Sequence, residues 1–432
     1  MASVPMAQLR LPRAVRDWLG AALQSFPSRV RIDCWGAESL WFGGTEAGST
    51  ESLTLYVHHP GVVRALLLGR DPLVLAEAHL QGYFDFSGPA DGLVALGRSL
   101  AASGLQRRQS LRAWLQALTL PRSPIALHAR WPWQKLGTHT KARDRAAIQH
   151  HYDVGNDFYS LWLDPLQVYS CAHFDSPHTS LAEAQQRKLD LSCQKLKLQP
   201  GETLLDIGCG WGALLRWAAE RYGVRGYGIT LSQQQVDYNQ HRIRTEGWGD
   251  RVQVELRDYR DLPQVPTFDK IVSVGMVEHV GFAQYPAYFR SALAVLKPGG
   301  LFLNHGITAA EDWNGSSVGE RFINRYIFPN GELVKLSRML LAAENAGWEV
   351  VDVDGWRPHY AKTLRHWAAN LEAAADCASA LIGERRVKLW QLYLLGSAMG
   401  FEANQMGIYQ TLLRRKGDTN WNLPLARSGW LC

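Results

Sequence analysis

The chain is predicted to be an α/β protein, a mostly parallel sheet with helices on both faces behind a smaller N-terminal domain. Three observations predict this. From Gly201 onward short apolar runs alternate with helical patterns, the order that builds parallel sheets with covered faces. A glycine-rich turn, Gly208-Cys-Gly-Trp-Gly212, joins one apolar run to a helical stretch. Residues 1 to about 120 differ in character, being Leu/Ala-rich and amphipathic.

In the N-terminal part, Leu53–Val57 alternates like a strand, and helical periodicity follows in Val62–Leu68 and Leu73–Leu80. A segment bearing Arg107, Arg108, Arg112 and Arg122 then leads to Trp131-Pro-Trp133 and the basic run Lys141–Arg145. That stretch reads as a linker. The expected organisation is a domain over 1–120, a linker over 121–145 and a second domain over 146–432. In the last, Thr203–Ile207 is a strand entering the glycine turn, and Ala213–Ala219 is a helix with Leu214, Trp217 and Ala218 on one face. Val224–Ile229 is the next strand, and Ser232 to Gln235 opens a helix at capping-box spacing. Val252–Leu256, Lys270–Val274 and Leu301–Asn304 are further strands, the last preceded by the stop signal Lys297-Pro-Gly-Gly300. Gly407–Arg414 reads as a late strand after a long helical region.

The 432 residues leave room for two or three domains, and 46% hydrophobic with 20% charged residues excludes wholesale disorder. A net charge of +6 falls short of the dense basic patches of a nucleic-acid binder. It suits an anionic surface such as membrane phospholipid without demanding one. Seventeen Trp and fifteen Tyr fit either a Trp-rich core or an aromatic-lined, membrane-facing site. The six cysteines form no Cys-x-x-Cys pair and no metal-ligand spacing, so no metal and a reduced, cytoplasmic setting are expected. Arg10, Arg13, Arg16 and Asp17 break up the N-terminus, so no signal peptide is expected. The apolar stretch from Leu389 to Phe401 is too short to span a bilayer. A soluble protein with peripheral membrane contact follows as the expectation.

The glycine turn is the strongest local motif. Gly208, Gly210 and Gly212 let the backbone approach a ligand between a strand and a helix N-terminus. The spacing is G-x-G-x-G instead of the dinucleotide G-x-G-x-x-G, and the second strand ends at Thr230 where a ribose-binding acid would stand. Asp206, just before the glycines, places an anion where an α-amino group needs one. The pattern points to S-adenosyl-L-methionine (AdoMet) and away from NAD.

With the other motifs added, the chain resembles the cyclopropane-fatty-acyl-phospholipid synthases and their mycolic-acid-modifying relatives. The resemblance rests on His150-His-Tyr-Asp-Val-Gly-Asn-Asp157, Tyr169-Ser-Cys-Ala172, Leu205–Gly212, Gly228–Ser232, Ser273–Gly281, Phe328-Pro-Asn-Gly331, His359-Tyr360 and Thr363-Leu364. These run in order from about residue 145 to the C-terminus. Gly69-Arg-Asp-Pro72 and Glu77–Gly82 resemble, more loosely, the lipid-handling domain in front of the phospholipid-acting enzymes. The resemblance implies a Rossmann-like AdoMet-dependent methyltransferase fold with a seven-stranded sheet, and a smaller α+β lipid-handling domain that docks on the inner face of the cytoplasmic membrane. The resemblance also implies a homodimer, since relatives are often dimers.

Carried over by motif position, the resemblance implies an AdoMet site of Tyr169, Ser170, Asp206, Gly208, Cys209, Gly210, Gly212, Leu214, Thr230, Gln235, Tyr259 and Arg260. It also implies a bicarbonate site of Cys171, Glu278, His305, Ile307 and Tyr360. One departure stands out: the usual His-Thr-Ile run is here Asn304-His-Gly-Ile307, a change expected to alter the shape of the pocket.

The implied chemistry explains these residue types. A cis double bond is a poor nucleophile, so positioning supplies most of the catalysis. Methyl transfer leaves a carbocation on the lipid chain, from which water must be kept. Aromatic faces stabilise such a cation, and Tyr169, Tyr326, Phe328 and Tyr360 are the candidates. A carboxylate touching the cation would form an ester, whereas bicarbonate oriented by Glu278 and His305 serves as base, with Tyr360 donating a hydrogen bond to it. His305, poised near neutral pH, is expected to receive the proton. Cys171 is given no role as a thiolate nucleophile, and His150 and His151 are left outside the site. The rival readings are a C-methyltransferase giving a methyl-branched or methylene product, a non-catalytic lipid-binding protein, a nucleic-acid methyltransferase and a dehydrogenase.

Overall fold

The computed structural model describes residues 6–24, 26, 29–43, 53–69, 71–88, 91–92, 96–97, 107–125, 140–152, 154–264, 267–329 and 331–430. The chain forms two compact units. The first comprises Met1–Pro132, Ser316–Phe322 and Gly383–Met399, and the second Trp133–Gly315, Ile323–Ile382 and Gly400–Cys432. Two stretches that the sequence reading placed in a continuous 146–432 domain thus group with the first unit. Local chemistry accounts for it, because Arg321 bonds Asp71 at 2.8 Å and Leu392 packs on the N-terminal core. Among the described residues no helix is long and apolar enough to cross a membrane.

The first unit holds a four-stranded sheet of β1 (Val30–Cys34), β2 (Glu38–Phe42), β3 (Leu53–Val57) and β4 (Phe84–Ser87), ordered β2-β1-β3-β4. β1 and β3 each bury alternate residues, Val30, Ile32 and Cys34 against Leu53, Leu55 and Val57. β1 carries the period-two signal in Val-Arg-Ile-Asp-Cys, which the sequence reading passed over. Helices Arg13–Leu23 and Gly61–Gly69 contribute Val15, Trp18, Val62 and Leu66 to the same core.

The second unit holds a seven-stranded sheet of β5 (Thr203–Ile207), β6 (Arg225–Thr230), β7 (Val252–Leu256), β8 (Phe268–Val274), β9 (Leu296–Ala309), β10 (Trp348–Gly355) and β11 (Met406–Arg415). Their order is β10-β11-β9-β8-β5-β6-β7. β5 to β9 run parallel, and β11 runs antiparallel to both neighbours. The chain moves outward from β5 through β6 to β7 and returns on the other side of β5 as β8. The glycine turn after β5 therefore opens at a topological switch point, where open α/β sheets bind ligands.

Two boundaries differ from expectation. Lys297-Pro-Gly-Gly300 lies inside β9 and does not precede it; it forms the irregularity between the Phe268–Leu296 and Lys270–Leu301 pairs. The Lys141–Arg145 run, read as linker, opens the helix Lys141–Tyr152. Thr140 caps that helix, its hydroxyl accepting from Arg143 N at 3.3 Å, and Lys141 and Asp144 pair with Asp261 and Arg260. The predicted Trp131-Pro-Trp133 linker signal lies outside the described residues.

Candidate active site

The glycine turn is fixed before any ligand arrives. The amides of Gly208 and Cys209 both donate to the carbonyl of Ile229 at the end of β6, at 2.9 and 3.0 Å. Asn239 donates to the Gly210 carbonyl at 2.8 Å, and Arg216 to that of Trp211 at 2.7 Å. Gly212 is required by space as well as by its φ of +73°, because a Cβ there would lie 2.0 Å from Asn239 Oδ1.

The turn borders a cleft at the carboxyl ends of β5, β6 and β8. Tyr169 and Ser170 line it, as do Asp206, Gly208, Cys209 and Gly210 of the glycine turn. Leu214, Thr230, Gln235 and Tyr259 complete the predicted set on its lining. Gly212 and Arg260 are placed otherwise. Gly212 packs against Asn239, and Arg260 grips Asp258 at 2.6 Å and Asp144 at 3.0 Å, fixing the segment behind Tyr259. Thr230 Oγ1 donates to Gln235 Oε1 at 2.6 Å, while Ser232 Oγ caps the following helix by accepting from Gln235 N.

Asp206 is 3% exposed, and its Oδ1 has no hydrogen-bond partner. Burial pushes its pKa up to about 7, and the charge of Lys188 opposes that rise. Lys188, which the sequence reading missed, is itself buried; it lines the cleft and donates to Ser170 Oγ at 2.8 Å. Desolvation lowers its pKa to about 8. Only its position on the helix Leu181–Lys195, a lysine among buried positions, signals it in sequence. An orphaned buried carboxylate beside a preformed glycine turn fits an ammonium-bearing ligand such as the amino-acid end of AdoMet.

A second cluster adjoins this cleft through shared segments. Ser170 lines the cleft, and the next residue, Cys171, turns into the cluster, its Sγ 3.9 Å from the Trp356 carbonyl. The turn Val277–His279 after β8 does the same: His279 lines the cleft, while Glu278 Oε1 accepts from Ile307 N at 2.8 Å. Glu278 Oε2 is buried without a partner, and burial raises the pKa to about 7. Gly306 makes that approach possible. A Cβ on it would sit 2.2 Å from Val277 Cγ1. Asn304, on the same side of β9, bonds the Tyr288 hydroxyl at 3.0 Å and packs by Met339. Both departures from the family run thus belong to packing on the face opposite His305.

His305 is buried, and its expected poise near neutral pH is corrected: burial, with Lys188 and Lys195 nearby, holds its pKa well below the ordinary value. Its tautomer follows from its neighbours. Lys195 Nζ, paired with Asp354 at 2.7 Å, also donates to Gln410 Oε1 at 2.7 Å. An ammonium only donates, so the Gln410 amide is fixed with Nε2 toward His305 Nδ1, 3.3 Å away. Nδ1 accepts, and the imidazole proton sits on Nε2, which is buried and has no other partner. In this arrangement His305 presents Nε2–H as a hydrogen-bond donor.

Trp356 gathers the rest. Its ring lies 4.9 Å from that of His305, and its carbonyl accepts from Tyr360 N at 3.1 Å. Burial pushes the Cys171 thiol up, consistent with no thiolate role. Beside the cluster, Tyr169 packs with Tyr159, Trp162 and Trp367 at 5.2–5.5 Å, and Tyr360 lies 6.0 Å from Trp367. His151 stacks on Tyr169 at 5.8 Å and meets Phe328 at 4.1 Å, so a histidine left outside the site joins two of its aromatics. Tyr326, by contrast, lies under the Arg325 guanidinium at 5.4 Å.

The sheet order, the glycine turn at its switch point and the orphaned carboxylate define an AdoMet-dependent methyltransferase. Residues 139–411 match the family described as mycolic acid cyclopropane synthetase, and the chain belongs to that family. A probable fatty acid methyltransferase of Pseudomonas putida is 47% identical over 294 residues, 67% of this chain and 74% of that protein. Another of that description, from Mycobacterium tuberculosis, is 37% identical over 405 residues, 90% of this chain and 93% of the relative. The crystal structure of mycolic acid cyclopropane synthase CmaA1 complexed with SAH and CTAB superposes with a TM-score of 0.60 at 37% identity. That match covers 63% of this chain and 98% of that one.

Proposed function

We propose that the protein transfers a methylene group from AdoMet to the cis double bond of unsaturated acyl chains of membrane phospholipids, forming cyclopropane chains. The observation that carries this reading is the junction of two sites by two short segments, Ser170-Cys171 and Glu278-His279, each lining the donor cleft with one residue and the second cluster with the other. AdoMet bound in the cleft supplies an electrophilic methyl group. Asp206 holds the amino end, and the glycine turn leaves room for the rest.

Attack by the alkene leaves a cation on the acyl chain. Tyr169 and Tyr360, packed around Trp367, supply ring faces and exclude water. Closing the ring removes one proton from the transferred methyl, so the lipid gains CH2 net. Bicarbonate is the base in this reading; what supports it is that Glu278 Oε2 and His305 Nε2 are buried polar atoms without partners. His305 donates from Nε2, and the Glu278 carboxyl, with its pKa near 7, holds or yields a proton at Oε2. Peripheral contact with the inner face of the cytoplasmic membrane accompanies this reading.

A second reading is favoured by relatives described as fatty acid methyltransferases, and by a tuberculostearic acid methyltransferase 32% identical over 387 residues. In it the same cation loses a proton without closing a ring, giving a methylene or a methyl-branched olefinic product. Incubation with AdoMet and cis-unsaturated phospholipid vesicles, followed by mass spectrometry and NMR of the acyl chains, tests both. A gain of CH2 with cyclopropane proton signals supports the first reading, olefinic or branched-methyl signals the second, and no mass gain overturns both. Glu278→Gln is expected to lower turnover by about 10²–10⁴ while calorimetric AdoMet affinity stays unchanged.

A further inference from the structure

From Gly92 to Ile125 the sequence carries five arginines, Arg98, Arg107, Arg108, Arg112 and Arg122, and no lysine, aspartate or glutamate. This segment alone bears +5 in a chain whose total is +6. At its centre is the helix Arg107–Ala117 of the first unit, whose orientation inverts the usual burial pattern. Its small residues face inward: Ala113 and Ala117 are fully buried, and Leu120 beyond them is 2% exposed. Its large apolar residues face solvent, with Leu111 58%, Trp114 36% and Leu115 53% exposed, and Leu118, in the turn just beyond, is 42% exposed. These four lie at i, i+3, i+4 and i+7, a single stripe.

The helix is well anchored from within. Gln116 Oε1 accepts from Ala14 N at 2.9 Å, and Arg64 donates to the carbonyls of Leu118 and Leu120 beyond its C-terminal end. The exposed stripe is therefore a fixed face and not a frayed end. Arg112 and Arg122 are exposed beside it.

We propose that this stripe is an interfacial anchor for an anionic lipid bilayer. Leu111, Trp114, Leu115 and Leu118 enter the boundary between headgroups and acyl chains, and Arg112 and Arg122 meet lipid phosphate. One-signed charge without a single acid matches a surface of uniform negative charge, whereas a protein partner is ordinarily met by charges of both signs. Trp, apolar in body with one polar N–H, suits that boundary. The choice of a lipid partner rests on the proposed function; the measurement below tests it without relying on turnover.

The test is co-sedimentation of the full-length chain with vesicles of phosphatidylcholine alone or mixed with phosphatidylglycerol. Binding is expected to be about ten-fold tighter to the anionic vesicles and to weaken as salt rises. Leu115→Glu, at an exposed position, is expected to lose about ten-fold on anionic vesicles. Arg112→Gln, which keeps the stripe, should lose about five-fold there and nothing on neutral ones. Equal binding to both vesicle types, or Leu115→Glu binding like the parent, overturns the proposal. So does a dimer in lipid-free solution that Leu115→Glu dissociates, since a second copy then covers the stripe. Turnover on a monomeric short-chain unsaturated phospholipid is read in parallel and is expected to be the same in Leu115→Glu. If neither protein modifies any lipid, the proposed function fails while charge-selective vesicle binding still supports the anchor.

Discussion

Asp206 and Glu278 are both carboxyls raised to about 7 by burial, and they face different partners. Asp206 faces the donor cleft, where its ionised form attracts an ammonium. Its raised pKa means that the carboxylate is present above about pH 7 and lost below it, so AdoMet affinity should fall as pH drops from 8 to 6. Calorimetry at the two values checks the sign. Asp206→Asn is expected to weaken binding by about 10- to 100-fold and to remove that pH dependence, since a charged hydrogen bond contributes about 1.5–3 kcal/mol. His305 makes a separate prediction. Gln410→Glu would accept from Lys195 and also from His305 Nδ1–H, moving the proton off Nε2. Loss of one preorganised donor lowers kcat by about 10²–10³, with AdoMet affinity unchanged. Imidazole ¹⁵N shifts would report the tautomer, which a purely structural role for Gln410 would leave alone.

At the scale of elements, the site depends on how closely the Val277–His279 turn approaches β9. Gly306→Ala drives a methyl to within 2.2 Å of Val277 Cγ1. Overpacking of this kind costs about 1–3 kcal/mol, and it pushes Glu278 away from Ile307 N. Adding Val277→Ala vacates the clashing methyl, so part of the stability and of the turnover should return. Urea unfolding and initial rates on both variants measure this; a Gly306→Ala protein as stable as the parent would refute the close approach. The same logic explains the misjudged stop signal at Lys297–Gly300. Its glycine and proline do interrupt pairing with β8, but the strand resumes after the bulge because Leu301 to Leu303 are buried on both sides.

At the scale of the molecule, each unit has its own core, and the donor cleft lies within the second. S-adenosylhomocysteine at about a hundred times its Kd should stabilise that unit by about 2.7 kcal/mol. For a unit of this size that raises the unfolding midpoint by about 5 °C; NAD should not shift it, and calorimetric scans with each ligand decide. The alternation of strands and helices and the glycine turn beside Asp206 were legible in the sequence, because each is a local pattern of periodicity or turn chemistry; Glu278, His305 and Tyr360 were singled out there by family resemblance. Lys188, the Lys195–Gln410–His305 chain, the link through Trp356 and the outward-facing stripe at Leu111–Leu118 were not. They join residues far apart in sequence, and protonation, tautomer and exposure depend on which distant groups a fold packs against each side chain. Sequence alone settled which chemical groups this protein owns and the class of sheet that carries them. Only the tertiary structure decided which of those groups are dry, which are left without a partner, and on which atom the histidine keeps its proton.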